Sequence, residues 1–459
     1  MNPDNDSTDA APSGAATVPH RPVYSWYVVS VLTLAYILSF IDRQIITLLI
    51  GPIKQDLGLT DTQMSYLIGL SFAIFYTVFG FIIALAADRF NRRNIITAGI
   101  VIWSLMTAAC GLARGYGQLF FARMGVGFGE GALSPAALSI ISDYFPREKL
   151  ARAISVYSMG VAVGSGIALL VGGSIIEFVS SVAMVTLPIV GELRPWQAAF
   201  VIVALPGIPV ALLMFTVREP ARRGRITGSI TGSAWSLGPA ASHFRQHWQT
   251  YGGIYLGMSV MTIMAYGVGG WIPEHFRRSY GWGIGQISLG YGLILIVFGP
   301  IGALLGGWMA DRFYRKHDDG YLRAGLVGLA LLVPGYSLFA LMPTPWLSLL
   351  LLIPATLGGA IPTTVAAASL MQVTPNEMRA KASALYYFVI SIVGLGLGPT
   401  SVALLTDLYF GDEARLRHSL AIVATVAGLA ATAVLLWVRP HFRSSVGAAR
   451  AWSGEAARG

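Results

Sequence analysis

The sequence predicts an all-α membrane protein, with twelve transmembrane helices in two pseudo-symmetric six-helix bundles. Three observations predict it. Charged residues are only 12% of 459 positions while 55% are apolar, and the mean hydropathy is +0.64. Soluble domains carry about 25% charge, and so thin a charged complement cannot cover a water-facing surface. Twelve apolar runs follow one another, each long enough to cross ~30 Å of hydrocarbon as a helix. Finally, charged motifs at span ends recur at about half the chain length.

Residues 1–23 are polar, with Asp4, Asp6 and Asp9 and without the apolar core of a signal peptide. They read as a disordered cytoplasmic N-terminus. Runs near 26–50, 64–86, 95–113, 118–144, 150–176 and 196–216 make the first bundle, 24–216. The loop 177–195 is longer than its neighbours and rich in Val and Thr, which suits a small hairpin. The linker 217–250 opens with Arg218, Arg222, Arg223 and Arg225, and His243–Trp248 suits a short amphipathic helix on the membrane surface. Runs near 251–273, 286–310, 322–342, 346–372, 380–406 and 417–438 make the second bundle, 251–438, followed by a cytoplasmic tail, 439–459.

Orientation follows from the bases. With both termini cytoplasmic, 22 of the 31 Lys and Arg lie on that side, seven lie in the opposite loops, and Arg43 and Arg123 lie inside spans. The net charge of +9 is therefore explained by the membrane, and nucleic acid is not expected as a partner. Cys110 is the only cysteine, so no intramolecular disulfide can form.

The halves are related. Ala84-Leu-Ala-Ala-Asp88-Arg89-Phe90-Asn91-Arg92-Arg93 follows the second span, and Gly307-Trp-Met-Ala-Asp311-Arg312-Phe313-Tyr314-Arg315-Lys316 follows the eighth, 223 positions on. Pro146-Arg147-Glu148 and Pro375-Asn376-Glu377 follow the fourth and tenth spans. Two parallel six-span repeats suit a transporter that rocks about a midplane site. These loops, with Arg123-x-x-x-Gly127-x-Gly129, resemble the major facilitator superfamily. Gly160, Gly164, Gly166, Gly172 and Gly173 resemble its glycine-rich antiporter motif without the usual Gly-Pro pair. Ser39-Phe-Ile-Asp42-Arg43 with Gly129-Glu130-Gly131 resembles a bacterial member of its spinster branch, which handles lysolipids and sphingolipids. The resemblance covers residues 24–440. It implies the major facilitator fold, alternating access, and residence in a bacterial inner membrane. The departures are Ala84 where the loop motif often has Gly and Gly131 where the branch often has Ala.

Four ionisable residues lie deep in spans: Asp42, Arg43, Arg123 and Glu130. A charge at the bilayer centre costs at least ~2.5–3.5 kcal/mol on insertion scales, so each needs a partner or water. Asp42 and Arg43 leave a helix ~100° apart, whereas Arg123 and Glu130 are two turns apart on one face. If the first and fourth spans line a central cavity, the four form one network. Desolvation favours a neutral carboxylate and a nearby Arg a charged one. Asp42 and Glu130 are therefore the expected proton-coupling groups, and Arg43 and Arg123 their partners or the holders of a substrate headgroup. The bland alternative is an ion network that only fixes helix packing.

Asp88, Arg89, Arg92, Arg93, Asp311 and Arg312 are topology-setting charges. The resemblance adds a role as a cytoplasmic gate, shared by Arg315 and Lys316. Gly125, Gly127, Gly129 and Gly131 make small-x-x-x-small faces for close packing. Gly394, Gly396 and Gly398 before Pro399 echo them. No Gly-Lys pair exists, so no Walker loop holds ATP. His243 and His247 lack a further ligand for a metal, no nucleophile has a His partner at its depth, and neither cofactor nor catalysis is expected. On the second half, Met258, Met261, Met264, Tyr266 and Trp271 are candidate cavity residues, although a Met stripe also suits plain core. One charged wall facing an apolar one fits an amphiphile. The expected function is a monomeric, proton-coupled secondary transporter of a lysophospholipid-like or sphingoid-phosphate-like lipid. Alternatives are an exporter of small hydrophilic solutes or drugs, and a channel or scramblase.

Overall fold

A computed structural model describes residues 22–87, 89–181, 184–187, 191–221, 237–375 and 378–453. The expectations for residues 1–21, for Asp88 and for the middle of the linker lie outside these.

Among the described residues, twelve helices are long and apolar enough to span a membrane: Pro22–Leu48, Asp61–Ala87, Arg92–Leu112, Tyr116–Tyr144, Arg152–Ser180, Pro195–Met214, Trp248–Tyr280, Ile284–Tyr314, Gly320–Leu341, Pro345–Val373, Lys381–Phe410 and Glu413–Ala449. Each coincides with an apolar run of the sequence. Their ends follow local chemistry. Thr60 opens the second span with a reciprocal cap: its hydroxyl accepts from Gln63 N–H at 3.1 Å, and Gln63 Oε1 accepts from Thr60 N–H at 3.0 Å. Asn91 caps the third span by accepting from Asn94 N–H at 3.0 Å. Gly281 closes the seventh at φ 66°, a left-handed turn that suits glycine.

Between the fifth and sixth spans Val185–Leu187 pairs antiparallel with Gly191–Leu193, the small hairpin expected there. Before the seventh span the linker helix runs Leu237–Gln246, earlier than the sequence suggested. The last helix continues through Pro440 to Ser453, past the expected end of the span at 438. Arg439 and Arg443 on this extension are tied to Asp319, which holds it against the bundle.

The halves meet along two pairs of spans. The fifth packs on the eighth, where glycines permit backbone approach: a Cβ on Gly166 would lie 2.7 Å from Gly292 O. The second packs on the eleventh, and both carry π-helical turns there, Tyr66–Leu70 and Ser391–Gly396. A π turn is a local irregularity that often marks a functional position. Outward faces are apolar, with Leu304, Phe121 and Phe178 more than two-thirds exposed, as a lipid-solvated surface requires.

Candidate functional site

The first span sets the site. Arg43 leaves it toward the junction of the halves and donates from Nη2 to Glu130 Oε2 at 2.6 Å. Its guanidinium lies 4.9, 4.4 and 5.0 Å from the ring centres of Phe40, Phe72 and Tyr76. The pair is dry, with side chains 12% and 1% exposed. Tyr266 of the seventh span faces Arg43 from the other half and is 42% exposed. Tyr36, stacked on Tyr157 at 4.7 Å, also lies in the electrostatic reach of Arg43. A guanidinium caged by aromatic faces keeps charge and stacking at once.

Asp42 turns the other way, into the first bundle. It is fully buried, and neither carboxylate oxygen has a hydrogen-bond partner among the described residues. Thr107 and Trp103 of the third span stand beside it. Arg123, also fully buried, donates not to this carboxylate but to the main-chain carbonyl of Asp42 at 3.2 Å, and to that of Leu67 at 3.4 Å. The expected single network of four is therefore two adjoining clusters. Arg43 with Glu130 faces the other half, and Asp42 sits behind, with Arg123 bracing the first and second spans between them.

The second-half residues divide as well. Met258, Met261, Met264 and Trp271 are at most 3% exposed and belong to the interior of the second bundle. Met258 borders a void beside Leu322 and Leu435, and the Trp271 indole donates to Pro399 O at 3.0 Å. In this conformation they lie buried within the second half, as a Met stripe usually does. Of the five, Tyr266 alone faces Arg43. The aromatic partners Tyr36, Tyr76 and Tyr157 escaped the sequence reading, because a tyrosine in an apolar run carries no charge to mark it.

Ionic clusters lie at both ends, and among the described residues only one of them joins the halves. At the end away from the linker, Lys54 and Asp61 of the first half meet Arg278, Glu274 and Glu413 of the second. Arg278 holds Asp61 with two bonds of 2.7 and 2.8 Å and Glu274 at 2.6 Å; Lys54 pairs with Asp61 and with Glu413, the latter at 2.9 Å. Nearby, Asp407 accepts from both the N–H and the hydroxyl of Thr62 at 2.7 Å. The halves are thus clamped there. A signal for this cluster lay in the sequence: Lys54, Arg277 and Arg278 are among the few bases on the less basic side.

At the linker end, the described ion pairs stay within one half. Arg92 is buried and joins Asp143 at 2.5 Å and Glu219 at 2.7 Å, tying the third, fourth and sixth spans. Arg93 lies 5.8 Å from the Phe215 ring, and Arg89 is exposed. Asp311 is exposed, and Arg312 rests 5.9 Å from the Trp308 ring of its own helix. Asp319, not marked out by the sequence, accepts from Arg323, Arg439 and Arg443 at 3.0, 2.8 and 3.0 Å.

Comparison with known proteins agrees with this architecture. The model of the Major Facilitator Superfamily matches residues 32–399 and 254–457. An MFS-type efflux pump of Mycolicibacterium smegmatis is 28% identical over 419 residues, 89% of this chain and 91% of that one. A hexuronate transporter of Bacillus subtilis is 26% identical over 63% of this chain and 65% of its own length. Protein spinster of Drosophila melanogaster is 22% identical over 68% of this chain and 51% of its own. Among solved structures, a bacterial homologue of the human lysosomal transporter Spinster, inward-facing and unoccupied, superposes with a TM-score of 0.75 at 27% identity. That match covers 92% of this chain and 97% of the other. Twelve spans, two like halves clamped at one end and a dry ionic pair at their junction describe a secondary transporter rather than an enzyme, and the chain belongs to the Major Facilitator Superfamily.

Proposed function

We propose that this transporter carries an amphipathic anion, of the lysophospholipid or sphingoid-phosphate type, by alternating access coupled to protons. The observation that supports this most is the Arg43–Glu130 pair at 2.6 Å in its aromatic cage. An anionic headgroup arriving at the junction competes with Glu130 for Arg43 through charge-assisted hydrogen bonds. A carboxylate stranded without its counter-ion in a dry site takes up a proton. The substrate thus takes the place of Glu130 on Arg43 as Glu130 takes up the proton, while the rings around the guanidinium accept an acyl chain or sphingoid tail. Asp42, buried behind the pair beside Thr107 and Trp103, offers a second proton position on the same helix.

In this reading both termini and the linker are cytoplasmic and the protein sits in an inner membrane, since the bases gather at that end. The clamp at Asp61 and Arg278 then holds an inward-facing state, and Asp88, Arg89, Arg92, Arg93, Asp311 and Arg312 line the gate that closes in the opposite state. A second reading is favoured by the hexuronate transporter among the relatives: a small hydrophilic acid held by the same Arg43. Uptake of labelled lysolipids and of hexuronates into proteoliposomes, with and without a proton gradient, separates the two. Lysolipid uptake that ignores the gradient and shows no counterflow would refute the coupled carrier.

A further inference from the structure

A polar groove of about 480 Å³ opens at the linker end of the second half, between the turn after the eighth span and the extension of the last helix. Its walls carry Arg315, Lys316, Arg323 and Arg443, with Asp318 and Asp319 as the acidic groups. Asp319 is fully buried and accepts from three arginines, Arg323, Arg439 and Arg443. One carboxylate among three guanidinium groups leaves a local excess of two positive charges. Arg315 and Lys316 are exposed and form no ion pair with a carboxylate among the described residues. The groove therefore presents a positive field that its own acids do not neutralise.

Its depth in the membrane is marked by aromatic residues. Trp308, one turn before Arg312, is 61% exposed, and the exposed Trp248 and Trp437 face each other at the same end of the second bundle. Exposed tryptophans concentrate at headgroup level. Directly along the eighth helix, Leu304 and Leu305 are exposed and give the groove an apolar flank suited to lipid tails. A basic pocket between span ends at headgroup depth has the chemistry of a phosphate site.

We infer that this groove binds the phosphate of an anionic phospholipid headgroup, bridging the turn at Arg315 and Lys316 to Arg443 on the last helix. The groove is separate from the Arg43–Glu130 junction, and the inference does not depend on what is transported. Free phosphate shares the chemistry, but it lacks the tails that the apolar flank of the eighth span would hold.

Native mass spectrometry of the full chain, delipidated and supplied with phosphatidylglycerol or phosphatidylcholine, tests it. One phosphatidylglycerol should be retained per chain in preference to phosphatidylcholine. The Arg315→Gln/Lys316→Gln variant should lose that retention by roughly tenfold or more, since each base near the surface adds about one kcal/mol. Millimolar inorganic phosphate should not displace the lipid. Equal retention of both lipids, or an unaffected variant, would overturn the site, and displacement by inorganic phosphate would overturn the lipid as its occupant. A photoactivatable phosphatidylglycerol on the unaltered protein should label peptides around 314–323 and 439–443; labelling elsewhere alone would also overturn it.

Discussion

Asp42 and Arg43 are neighbours in sequence yet serve opposite sides of one helix. Arg43 reaches across to Glu130 at 2.6 Å among aromatic rings, whereas the Asp42 carboxylate faces Thr107 and Trp103 of the third span. The helical turn of about 100° per residue enforces this separation. Arg123 then donates to the main-chain carbonyl of Asp42 and not to its carboxylate. Under the proposed function, a ligand on Arg43 and a proton on Asp42 would therefore act on one helix without touching each other.

The clamp away from the linker should control which end is open. Arg278→Ala strips the buried Asp61 of two hydrogen bonds. Breaking one partner of a buried pair costs about 3–5 kcal/mol, and only the clamped state bears that cost. Spin labels at Gln55 and Asp412, with Cys110 replaced by Ala, should move apart in this variant and in Asp61→Asn. Unchanged distance distributions in both would remove the clamp from the mechanism.

Glycines should sort by which contact they serve. An added Cβ at Gly129 would lie 2.6 Å from Trp103 N and 2.8 Å from Gly99 O, both inside the first half. Gly129→Ala should lower thermal stability in every conformation. At Gly166 the obstruction is Gly292 O and Ile296 of the other half. Gly166→Ala should spare the folding of each bundle and shift the same label distances as Arg278→Ala. Equal behaviour of the two variants would contradict this division.

The spans, their order and the relation of the halves were legible because hydrocarbon thickness imposes a run length and the repeat preserves charge at span ends. The four deep charges were legible for a related reason, since a charge in an apolar run is conspicuous. What the sequence could not convey was direction. Periodicity within one helix does not say which neighbour Asp42 faces, nor that Met258, Met261 and Met264 point into their own bundle. Which distant residues pair, such as Lys54 with Glu413 or Asp319 with Arg443, depends on tertiary packing, so even a conspicuous base does not name its partner.

The Asp319 hub should be insensitive to pH in the working range. Burial pushes its carboxyl up, but hydrogen bonds from Arg439, Arg443 and Arg323 outweigh that and hold it at about 2. A folded value below the unfolded ~3.9 stabilises above that unfolded value, and the stabilisation is lost as pH falls toward the folded one. Asp319→Asn should therefore lower the unfolding temperature by the same amount at about pH 6 and about pH 8. A loss that differs between them would show that the hub titrates after all.

Orientation has a direct check. Single cysteines at Ser229 in the linker and at Ser181 after the fifth span, in a Cys110→Ala background, should react with an impermeant reagent from opposite sides of intact cells. Reaction from one side would contradict the assignment of the basic end to the cytoplasm.

The coupling itself is tested by separating the two carboxylates. Glu130→Gln keeps a carbonyl oxygen for Arg43 but removes the charge that a substrate must displace. Its affinity for an anionic substrate should rise or hold and lose its dependence on pH, because no proton need be taken up when Arg43 is released. Asp42→Asn leaves the Arg43–Glu130 pair intact, so affinity should keep its pH dependence while the exchange between open states loses it. Arg43→Lys preserves charge but gives up the planar fork and the stacking on Phe40, Phe72 and Tyr76. It should weaken anion binding by roughly tenfold with little effect on neutral ligands. Substrate-induced fluorescence and label distances across a pH series read both quantities on one preparation. If the two neutral variants retained the parent's pH dependence in both, the proton would have to be carried by a group other than Asp42 or Glu130, and competition for Arg43 could not be the coupling step.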